Sequence, residues 1–476
     1  MPSRREVLIG GAAVLAGCDP IVSTASRLLG ADLPGALVPH AGPSVRPARR
    51  LLNRAAYGPW PGDEARVEAM GREAWVDEQL DPESIDDAAG DVRAELVDVA
   101  NVPSDLVFEL RPEHVERQLV THTLLRAVYS RRQLREVMVG FWADHLNVHM
   151  GKSLCRHLTA TYVRDVLRPR ALGRFRDLLG AVVASPAMLV YLDGRENRRG
   201  VPNENYAREL LELHALGVHG GYAQRDVMEA ARCLTGWTVA ERGAPGSVAF
   251  DPARHDDGEK VVLGQRIAAG GGARDLDRLL DVVVAHPSCA RFVSEKLCRF
   301  FVADAPPPGV REAAHAAFVA SDGEIGATVR AILLHPDLYA APPRVSRPFP
   351  YVVRALRALG ADTHARGALR DHLARMGQLP FDHPTPDGYP FEEAAWLGTM
   401  LPRWRFALAL AEGHLDDTAI DLPRLRDALP AADPLGALFR HLVGRDPTPE
   451  ERTHALSHPP ARALALVLSS PAYVRC

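Results

Sequence analysis

Apolar residues recur at helical spacing along most of the chain, and the most regular stretch runs from residue 203 to residue 237. Asn203 is a typical N-cap, and the pattern predicts a helix from Glu204 to Leu216 that Gly217 ends. A second helix is predicted from about Gln224 to Leu234. Two consecutive helices with a short, glycine-containing connection are therefore expected here.

The first of these helices has two chemically different sides, because placing residues about 100° apart around the axis separates them into two arcs. His214 lies in the middle of the apolar arc, which predicts a buried histidine with a structural role. Structural roles are also predicted for Asn203, Asn205 and Trp237, which stand near the ends of the two helices. The apolar arc comprises Leu213, Tyr206, Leu210, Ala207 and Leu211, and the polar arc comprises Glu204, Arg208, Glu212, Asn205 and Glu209.

The polar arc has two interpretations. Glu204, Arg208 and Glu212 follow one another at intervals of four residues, which is typical of an ordinary solvated helix face. Alternatively, these three residues and Glu209 line a cleft, in which paired carboxylates act as general acid and base or bind a hard metal ion. The pattern alone leaves both interpretations open, and all four residues are candidate catalytic residues.

From Ala48 onward, segments of helical length alternate with glycine and proline stops, which predicts an all-α fold. The exception is the stretch from about 238 to 267, where Gly243 and Gly246 interrupt the pattern. This stretch contains short β-favouring pieces at 247–250 and 260–263. A small β-hairpin or a long loop inserted between helices is expected there.

Four apolar segments each run into a Ser-Pro or His-Pro pair, and proline disfavours helix at the residue before it. Each segment is therefore predicted to end a helix and turn the chain in the same way. The four segments are residues 182–192, 283–293, 332–339 and 466–474.

The N-terminus reads MPSRREVLIGGAAVLAGC, in which the twin arginines Arg4 and Arg5 precede a short apolar run, Val7 to Gly17. This run is too short to span a bilayer and is typical of a signal peptide. Residues 15–18, Leu-Ala-Gly-Cys, form a lipobox in which Cys18 becomes lipidated. We therefore expect export by the twin-arginine route and anchoring of the mature protein to a membrane through Cys18.

Three further segments are expected after the signal peptide of residues 1–17. Residues 18–47 are rich in Pro, Ala, Gly and Ser without a helical period, which predicts a flexible tether. Residues 48–476 form the helical domain, and residues 415–476 are predicted to pack as a small C-terminal helical lobe.

Composition narrows the classes of partner. Removing residues 1–17, which carry Arg4, Arg5 and Glu6, changes the formal net charge from −4 to −5. A chain of this charge has no broad basic face, so no nucleic-acid partner is expected. Five cysteines lie beyond Cys18 and none forms a CxxC pair, which gives structural zinc little support.

His145 and His149 are spaced four residues apart at the end of a predicted helix, and two histidines at this spacing can share a metal ion. Leu146 follows His145 where the metalloprotease pattern has a glutamate, so that activity is not supported. The alternative is that His145 belongs to the core and His149 to the end of the helix. The cofactor therefore stays unassigned at this stage, with a metal ion as the weak candidate.

Lysine is scarce: Lys152, Lys260 and Lys296 are the only three among 56 lysines and arginines. In a chain that uses arginine in place of lysine almost everywhere, the remaining lysines can occupy positions where a planar guanidinium would not function. Random drift also leaves a few lysines. Lys260 is a candidate catalytic residue because His255 and Asp256 stand beside it.

The segment NENYARELLELHALGVHGGY (203–222) closely resembles the signature of a bacterial family called domain of unknown function 1800. The resemblance extends over most of the chain, from residue 50 to the final blocks. One departure concerns residues 142–145, Trp-Ala-Asp-His, where relatives carry Trp-His-Asn-His. Matching blocks are RLLNRAAYGPWPGDEARVEAMGREAWVDEQL, LREVMVGFWADHLNVH, HDDGEKVVLG, SEKLCRFFV, RPFPYVVRALRALG and MGQLPFDHPTPDGYP.

The resemblance implies a helical fold and an exported setting but no particular reaction. Two hypotheses follow. In the first, the protein is an enzyme whose polar Glu/His/Lys cleft acts in hydrolysis or group transfer on an envelope or extracellular substrate. In the second, it is a lipid-anchored binding or assembly protein, since relatives are often encoded beside a sulfatase-like partner of family 1501. The sequence contains no GxSxG elbow, P-loop or dinucleotide fingerprint.

The anchor can be tested by substitution and cell fractionation. Cys18→Ala should release the protein from membranes, because it removes the thiol that carries the lipid. Replacing Arg4 and Arg5 together by lysine should block export and leave the protein in the cytoplasm with residues 1–17 attached. Wild-type protein that fractionates as soluble and retains residues 1–17 would refute the assignment.

Overall fold

Helices contain 60% of the residues, and within residues 19–476, which the computed structural model describes, there are 26 α-helices and three two-stranded antiparallel sheets. The predicted all-α class with small β insertions is confirmed. The signal peptide and Cys18 lie outside the described residues.

The helices are α1 Asp19–Ser26, α2 Pro47–Ala55, α3 Asp63–Met70, α4 Arg72–Leu80, α5 Ala88–Ala94, α6 Asp98–Asn101, α7 Pro112–Tyr129, α8 Gln133–His145, α9 Cys155–Thr161, α10 Phe175–Val183, α11 Pro186–Tyr191, α12 Glu204–Glu209, α13 Gln224–Cys233, α14 Arg274–Ala285, α15 Pro287–Phe301, α16 Pro308–Ala320, α17 Ile325–Leu334, α18 Pro336–Ala340, α19 Pro348–Ala358, α20 Gly367–Arg375, α21 Met400–Ala411, α22 Leu422–Ala428, α23 Pro434–Val443, α24 Pro449–Leu456, α25 Pro460–Ser469 and α26 Pro471–Val474. The strands are β1 Trp237–Val239, β2 Val248–Phe250, β3 Lys260–Val262, β4 Gln265–Ile267, β5 Asp362–Thr363 and β6 Thr418–Ala419.

One continuous apolar core extends from Leu37 to Val474 and takes side chains from nearly every helix. Among residues 19–476, no helix combines the length and the apolar composition that a bilayer-spanning segment requires.

The insertion between α13 and α14 consists of two antiparallel hairpins. Strand β1 pairs with β2, and β3 pairs with β4. Trp237 opens β1 opposite Phe250, with the ring centroids 5.3 Å apart. The predicted β-favouring pieces become β2 and β3, and each acquires a partner strand that the sequence pattern did not reveal.

The repeated Ser-Pro and His-Pro pairs all begin a helix in the same manner. In each pair, proline occupies the first turn and the preceding side chain accepts a hydrogen bond from a backbone N–H of that turn. Proline suits this position because its missing N–H would have no intrahelical partner. The four capping residues are Ser185, His286, His335 and Ser470.

The segment expected as a flexible tether is instead folded against the domain from Asp19 onward. Helix α1 packs on α5, and Ser26 is fully buried, where its hydroxyl donates to the carbonyl of Ala89 at 2.8 Å. The hydroxyl of Ser23 donates to Asp362 at 2.9 Å. The composition was misleading because small hydroxyl side chains, rather than large apolar ones, make this interface.

The C-terminal residues share the main core and do not form a separate lobe. Strand β6 pairs with β5, which lies between α19 and α20. The backbone N–H of Leu37 donates to the carbonyl of Ala428 at 2.7 Å, and Val345 bridges to Arg475. Residues 415–476 are therefore tied to distant parts of the chain at several points.

The packing of α1 can be tested by two alanine substitutions. Ser26→Ala should lower the free energy of unfolding by about 1 kcal/mol, because it removes a buried hydrogen bond. Thr24→Ala is the matched control, since Thr24 is exposed on the same helix and should change stability by less than about 0.5 kcal/mol. Urea denaturation of both variants measures the difference, and equal, negligible changes would mean that α1 is not docked.

Candidate functional site

Four segments far apart in sequence converge on one polar cluster. They are the last turn of α8, the turn that follows α12, the middle of α15 and the loop of residues 379–391, which precedes α21. We call this set the polar cluster: Lys296 contacts His145, the charge of Glu212 acts on Glu209, and the charge of Asp387 acts on both Glu209 and Lys296. His145, Glu209 and Glu212 were predicted site residues, whereas Lys296 and Asp387 were not.

Helix α12 begins as predicted and then widens. Asn203 caps it by accepting a hydrogen bond from the backbone N–H of Asn205 at 3.0 Å. From Leu210 to Ala215 the helix continues as a π-helix, a form that is frequent at functional sites. Gly217, with φ at +82°, ends it in the left-handed conformation that glycine adopts without strain.

The carbonyl of His214 lies in the last turn of this helix, where carbonyl groups have no intrahelical partner. His145 supplies the partner, with its Nε2 lying 3.0 Å from the His214 oxygen. Nε2 must therefore carry the proton, which leaves Nδ1 as an acceptor. Burial, followed by the nearby charge of Lys296, holds the pKa of His145 well below its usual range, so the ring is neutral.

Lys296 donates to His145 Nδ1, with an Nζ–Nδ1 distance of 2.9 Å. The ammonium also lies over the rings of Phe292 and Phe391, at 5.4 and 5.9 Å from their centroids. Burial, followed by repulsion from Arg299, lowers the pKa of Lys296 to about 8. The scarcity of lysine was the signal that could have singled this residue out.

The charges of Glu212 and of Asp387 in the loop act on the carboxyl group of Glu209. Burial, followed by the charges of Glu212 and Asp387, raises the pKa of Glu209 above its ordinary value. Glu212 is within reach of the Tyr222 hydroxyl, which donates to Oε2 at 3.4 Å. A carboxyl group with a raised pKa beside two other carboxylates is able to hold a proton nearer to neutral pH.

The loop of residues 379–391 is fixed over the cluster by hydrogen bonds from two side chains. Asn147 donates to the carbonyls of His383 and Thr385, and the Tyr191 hydroxyl donates to that of Pro384 at 2.9 Å. Gly388 permits the approach, because a Cβ at this position would collide with the backbone of Asp144. These contacts bring Asp387 to the cluster from a distant part of the sequence.

Glu204 and Arg208 lie apart from the cluster, on the outer surface of α12. Arg208 donates to Glu204 at 3.1 Å, and Gln224 of α13 joins both residues. The two side chains are 36% and 40% exposed, which is the geometry of the solvated helix face. The polar arc thus divides, with Glu204 and Arg208 at the surface and Glu209 and Glu212 facing the loop.

Lys260, His255 and Asp256 belong to a second, separate group beneath the hairpins. Lys260 and Asp275 form a fully buried ion pair, and His255 Nε2 lies 3.3 Å from the same Asp275 oxygen. His255 Nδ1 contacts the carbonyl of Thr235 at 2.9 Å. These contacts attach β3 to the start of α14, and no hydrogen bond within residues 19–476 joins this group to the first cluster.

Asp256 lies beside this group and forms an ion pair with Arg232 of α13, at 2.8 and 3.0 Å. The hydrogen bonds from Arg232 lower the pKa of Asp256 to about 2, which keeps the carboxylate charged. Lys260, His255 and Asp256 lie close together. Asp275 binds the polar atoms of Lys260 and His255, and Arg232 binds the carboxylate of Asp256.

His145 and His149 are not arranged as a helical metal pair, because α8 ends at His145. Both ring nitrogens of His145 contact protein groups, and His149 Nδ1 lies 3.9 Å from Asp382. Within residues 19–476, no group of three or more His, Cys, Asp or Glu side chains is placed to hold a metal ion.

His214 is fully buried, at the place that the helical pattern gives it. Burial lowers the pKa of His214 to about 3, so the ring is neutral. Its ring nitrogens have no hydrogen-bond partner in the described part of the chain, and only its backbone carbonyl takes part in the cluster.

Ala143 lines a cavity of about 50 Å³ beside the buried ion pair of Asp144 and Arg347. The Arg347 Nη1–Asp144 Oδ2 distance is 2.6 Å. Ala143 and Asp144 therefore lie at this cavity, whereas His145 belongs to the polar cluster.

The fold and the cluster define an all-α protein with a buried amine–imidazole pair beside clustered carboxylates. The family model for "Protein of unknown function (DUF1800)" matches residues 50–475, and the chain belongs to this family. No curated protein and no solved structure matches the chain.

The structural role of the Lys260–Asp275 pair can be tested by removing the cation. Lys260→Met should lower the free energy of unfolding by about 3–5 kcal/mol, because the buried Asp275 carboxylate would lose the buried cation that pairs with it. Arg266→Met is the matched control in the same hairpin, since the Arg266–Glu259 pair is largely exposed and contributes about 1 kcal/mol or less. A Lys260→Met variant that melts like the wild type would contradict this role.

Proposed function

We propose that this protein is an exported, lipid-anchored enzyme that carries out hydrolysis or group transfer on an envelope or extracellular substrate. The reaction takes place at the cluster of Lys296, His145, Glu209, Glu212 and Asp387. The observation that supports this most strongly is the neutral His145 ring, which His214 orients and Lys296 contacts at 2.9 Å. Ionisable groups with perturbed pKa values that meet in one place are typical of active sites.

The roles of the individual groups follow from the directions of their pKa shifts. Glu209, with its pKa raised by burial and neighbouring carboxylates, is suited to donate a proton as a general acid. Lys296, with its pKa lowered to about 8, has a neutral amine at mildly alkaline pH and is suited to act as a base or nucleophile. Opposite shifts of two groups that are both within range of the charge of Asp387 suit complementary acid and base roles.

The proposed setting is supported by the N-terminal signal and by the surface of α1. Ile21, Leu28 and Leu29 are 67%, 83% and 46% exposed, shortly after Cys18. The charged groups of this segment turn to the protein instead, since Asp19 pairs with Arg366 and Arg27 with Asp362. Exposed apolar side chains this close to Cys18 suit contact with a lipid interface.

A second candidate function is binding or assembly with a sulfatase-like partner of family 1501. Four large apolar side chains form an exposed ridge along α21 and the turn before it, spaced so that they share one helix face. Contiguous exposed apolar residues, tryptophan among them, are typical of protein-binding surfaces. The ridge comprises Leu397, Leu401, Trp404 and Leu408.

Glu209→Gln tests the proposed reaction, with Glu204→Gln as the matched control on the same helix. Because its pKa is raised in the folded protein, Glu209 stabilises the fold when protonated, and this stabilisation is lost as the pH rises through that pKa. Glu209→Gln should therefore keep or raise the stability of the protein at neutral pH. Turnover of a panel of 4-nitrophenyl esters, phosphates and glycosides should fall about 100-fold or more. Glu204→Gln should leave both turnover and melting temperature nearly unchanged.

Two results would contradict the enzymatic proposal. One is full turnover by a stable Glu209→Gln variant. The other is a Trp404→Ala variant that loses capture of the sulfatase-like partner while Glu209→Gln retains it and neither protein turns over any member of the panel. The second result would favour the assembly function instead.

A further inference from the structure

Lys296 differs from the other two lysines in how its charge is compensated. Lys152 pairs with Asp193 at 3.1 Å, and Lys260 forms the buried pair with Asp275. No carboxylate oxygen within residues 19–476 lies within 4.0 Å of the Lys296 ammonium. Lys296 also retains part of its surface exposed, whereas Lys260 is fully buried.

The immediate partner of the Lys296 amine is a proton acceptor. His145 Nδ1 lies 2.9 Å from Nζ, and the hydrogen bond from Nε2 to the His214 carbonyl prevents the ring from presenting an N–H there. The rings of Phe292 and Phe391 occupy other sides of the amine. An amine in apolar surroundings beside a base is activated as a nucleophile.

Several charged groups on different elements affect the pKa of this amine at longer range. Arg299 on the same helix disfavours its charged form, whereas Asp387 from the loop, Glu392 just after the loop and Asp144 from α8 favour it. Burial outweighs these opposing effects and lowers the pKa of Lys296 to about 8. A substantial fraction of the amine is therefore neutral at mildly alkaline pH.

We propose that Lys296 is a nucleophilic amine that condenses with the carbonyl group of an aldehyde or ketone substrate to form an imine. This inference rests on the proposed function and specifies the substrate class of the same site. The aromatic rings of Phe292 and Phe391 favour an apolar substrate. The guanidinium of Arg347 lies 5.3 Å from the Phe391 ring, but it forms an ion pair with Asp144. It therefore offers no unpaired charge to an anionic substrate.

In the first half of the condensation, the neutral Lys296 nitrogen attacks the carbonyl carbon and a C–N bond forms. The carbonyl π electrons move to oxygen, and His145 Nδ1 takes one proton from the nitrogen and passes it to that oxygen, which gives a neutral carbinolamine. In the second half, His145 Nδ1 passes the second proton of the nitrogen to the hydroxyl, the C–O bond breaks, and water leaves as the C=N bond forms. One carbonyl compound and one amine yield one imine and one water, so no further reactant is required.

Reductive trapping on the full-length protein tests this proposal. The protein is incubated with benzaldehyde and sodium cyanoborohydride near neutral pH, and the adducts are located by peptide mass mapping. Only three lysines are present, so the assignment is unambiguous. Lys296 should be labelled at least ~10-fold faster than Lys152, because a pKa near 8 leaves more free amine than an ordinary lysine has.

Matched variants separate the nucleophile from its neighbours. Lys296→Arg should abolish the dominant adduct, whereas Lys152→Arg should leave it unchanged. His145→Gln retains an acceptor but not a comparable base, so labelling of Lys296 should slow while the melting temperature stays close to that of the wild type. Circular dichroism confirms folding in each case.

The proposal is overturned if Lys296 of the folded wild-type protein gives no adduct between neutral and alkaline pH, or is labelled no faster than Lys152. An unchanged labelling rate in His145→Gln would remove His145 from the mechanism. Turnover of the 4-nitrophenyl panel distinguishes the two proposals. A Glu209-dependent turnover that survives in Lys296→Arg keeps the proposed function and refutes the imine.

Discussion

The candidate site depends on one hydrogen bond, from the imidazole of His145 to the backbone carbonyl of His214. This bond joins the ends of two helices and occupies a carbonyl that the π-helix leaves without an intrahelical partner. It also fixes the tautomer of His145, and thereby makes Nδ1 the atom that faces Lys296. Because His145 donates from its side chain and His214 accepts with its backbone carbonyl, the orientation of the His145 ring depends directly on the conformation of the segment after α12.

Local features of the fold were predictable because their causes are local. The cap at Asn203, the stop at Gly217 and the proline-initiated helices each depend on a few neighbouring residues. The packing of α1 was not predictable, since its buried contacts are the hydroxyl hydrogen bonds of Ser23 and Ser26 to residues far along the chain. Periodicity detects apolar faces, and this interface has none.

The site was only partly predictable, for a related reason. Periodicity placed Glu209 and Glu212 on a polar arc, but it could not show that a loop held by Asn147 and Tyr191 brings the charge of Asp387 within range of Glu209. Conversely, proximity in sequence made Lys260 and His255 resemble a catalytic pair. Their common partner Asp275 comes from the next helix, and burial of the whole group gives it a role in attaching the hairpins. In both groups, residues that are distant in the sequence determine the role of the predicted site residues.

The start of α1 at Asp19 has a geometrical consequence for anything attached to Cys18. The two residues are joined by a single peptide unit, so the attachment point is within about 3.8 Å of a residue that is itself ion-paired to Arg366. A tether of thirty residues would let the body rotate and sample a wide volume, whereas this connection has almost no slack. An attachment through Cys18, as proposed, would therefore restrict the orientation of the protein as well as its location, and with it which surfaces face the membrane.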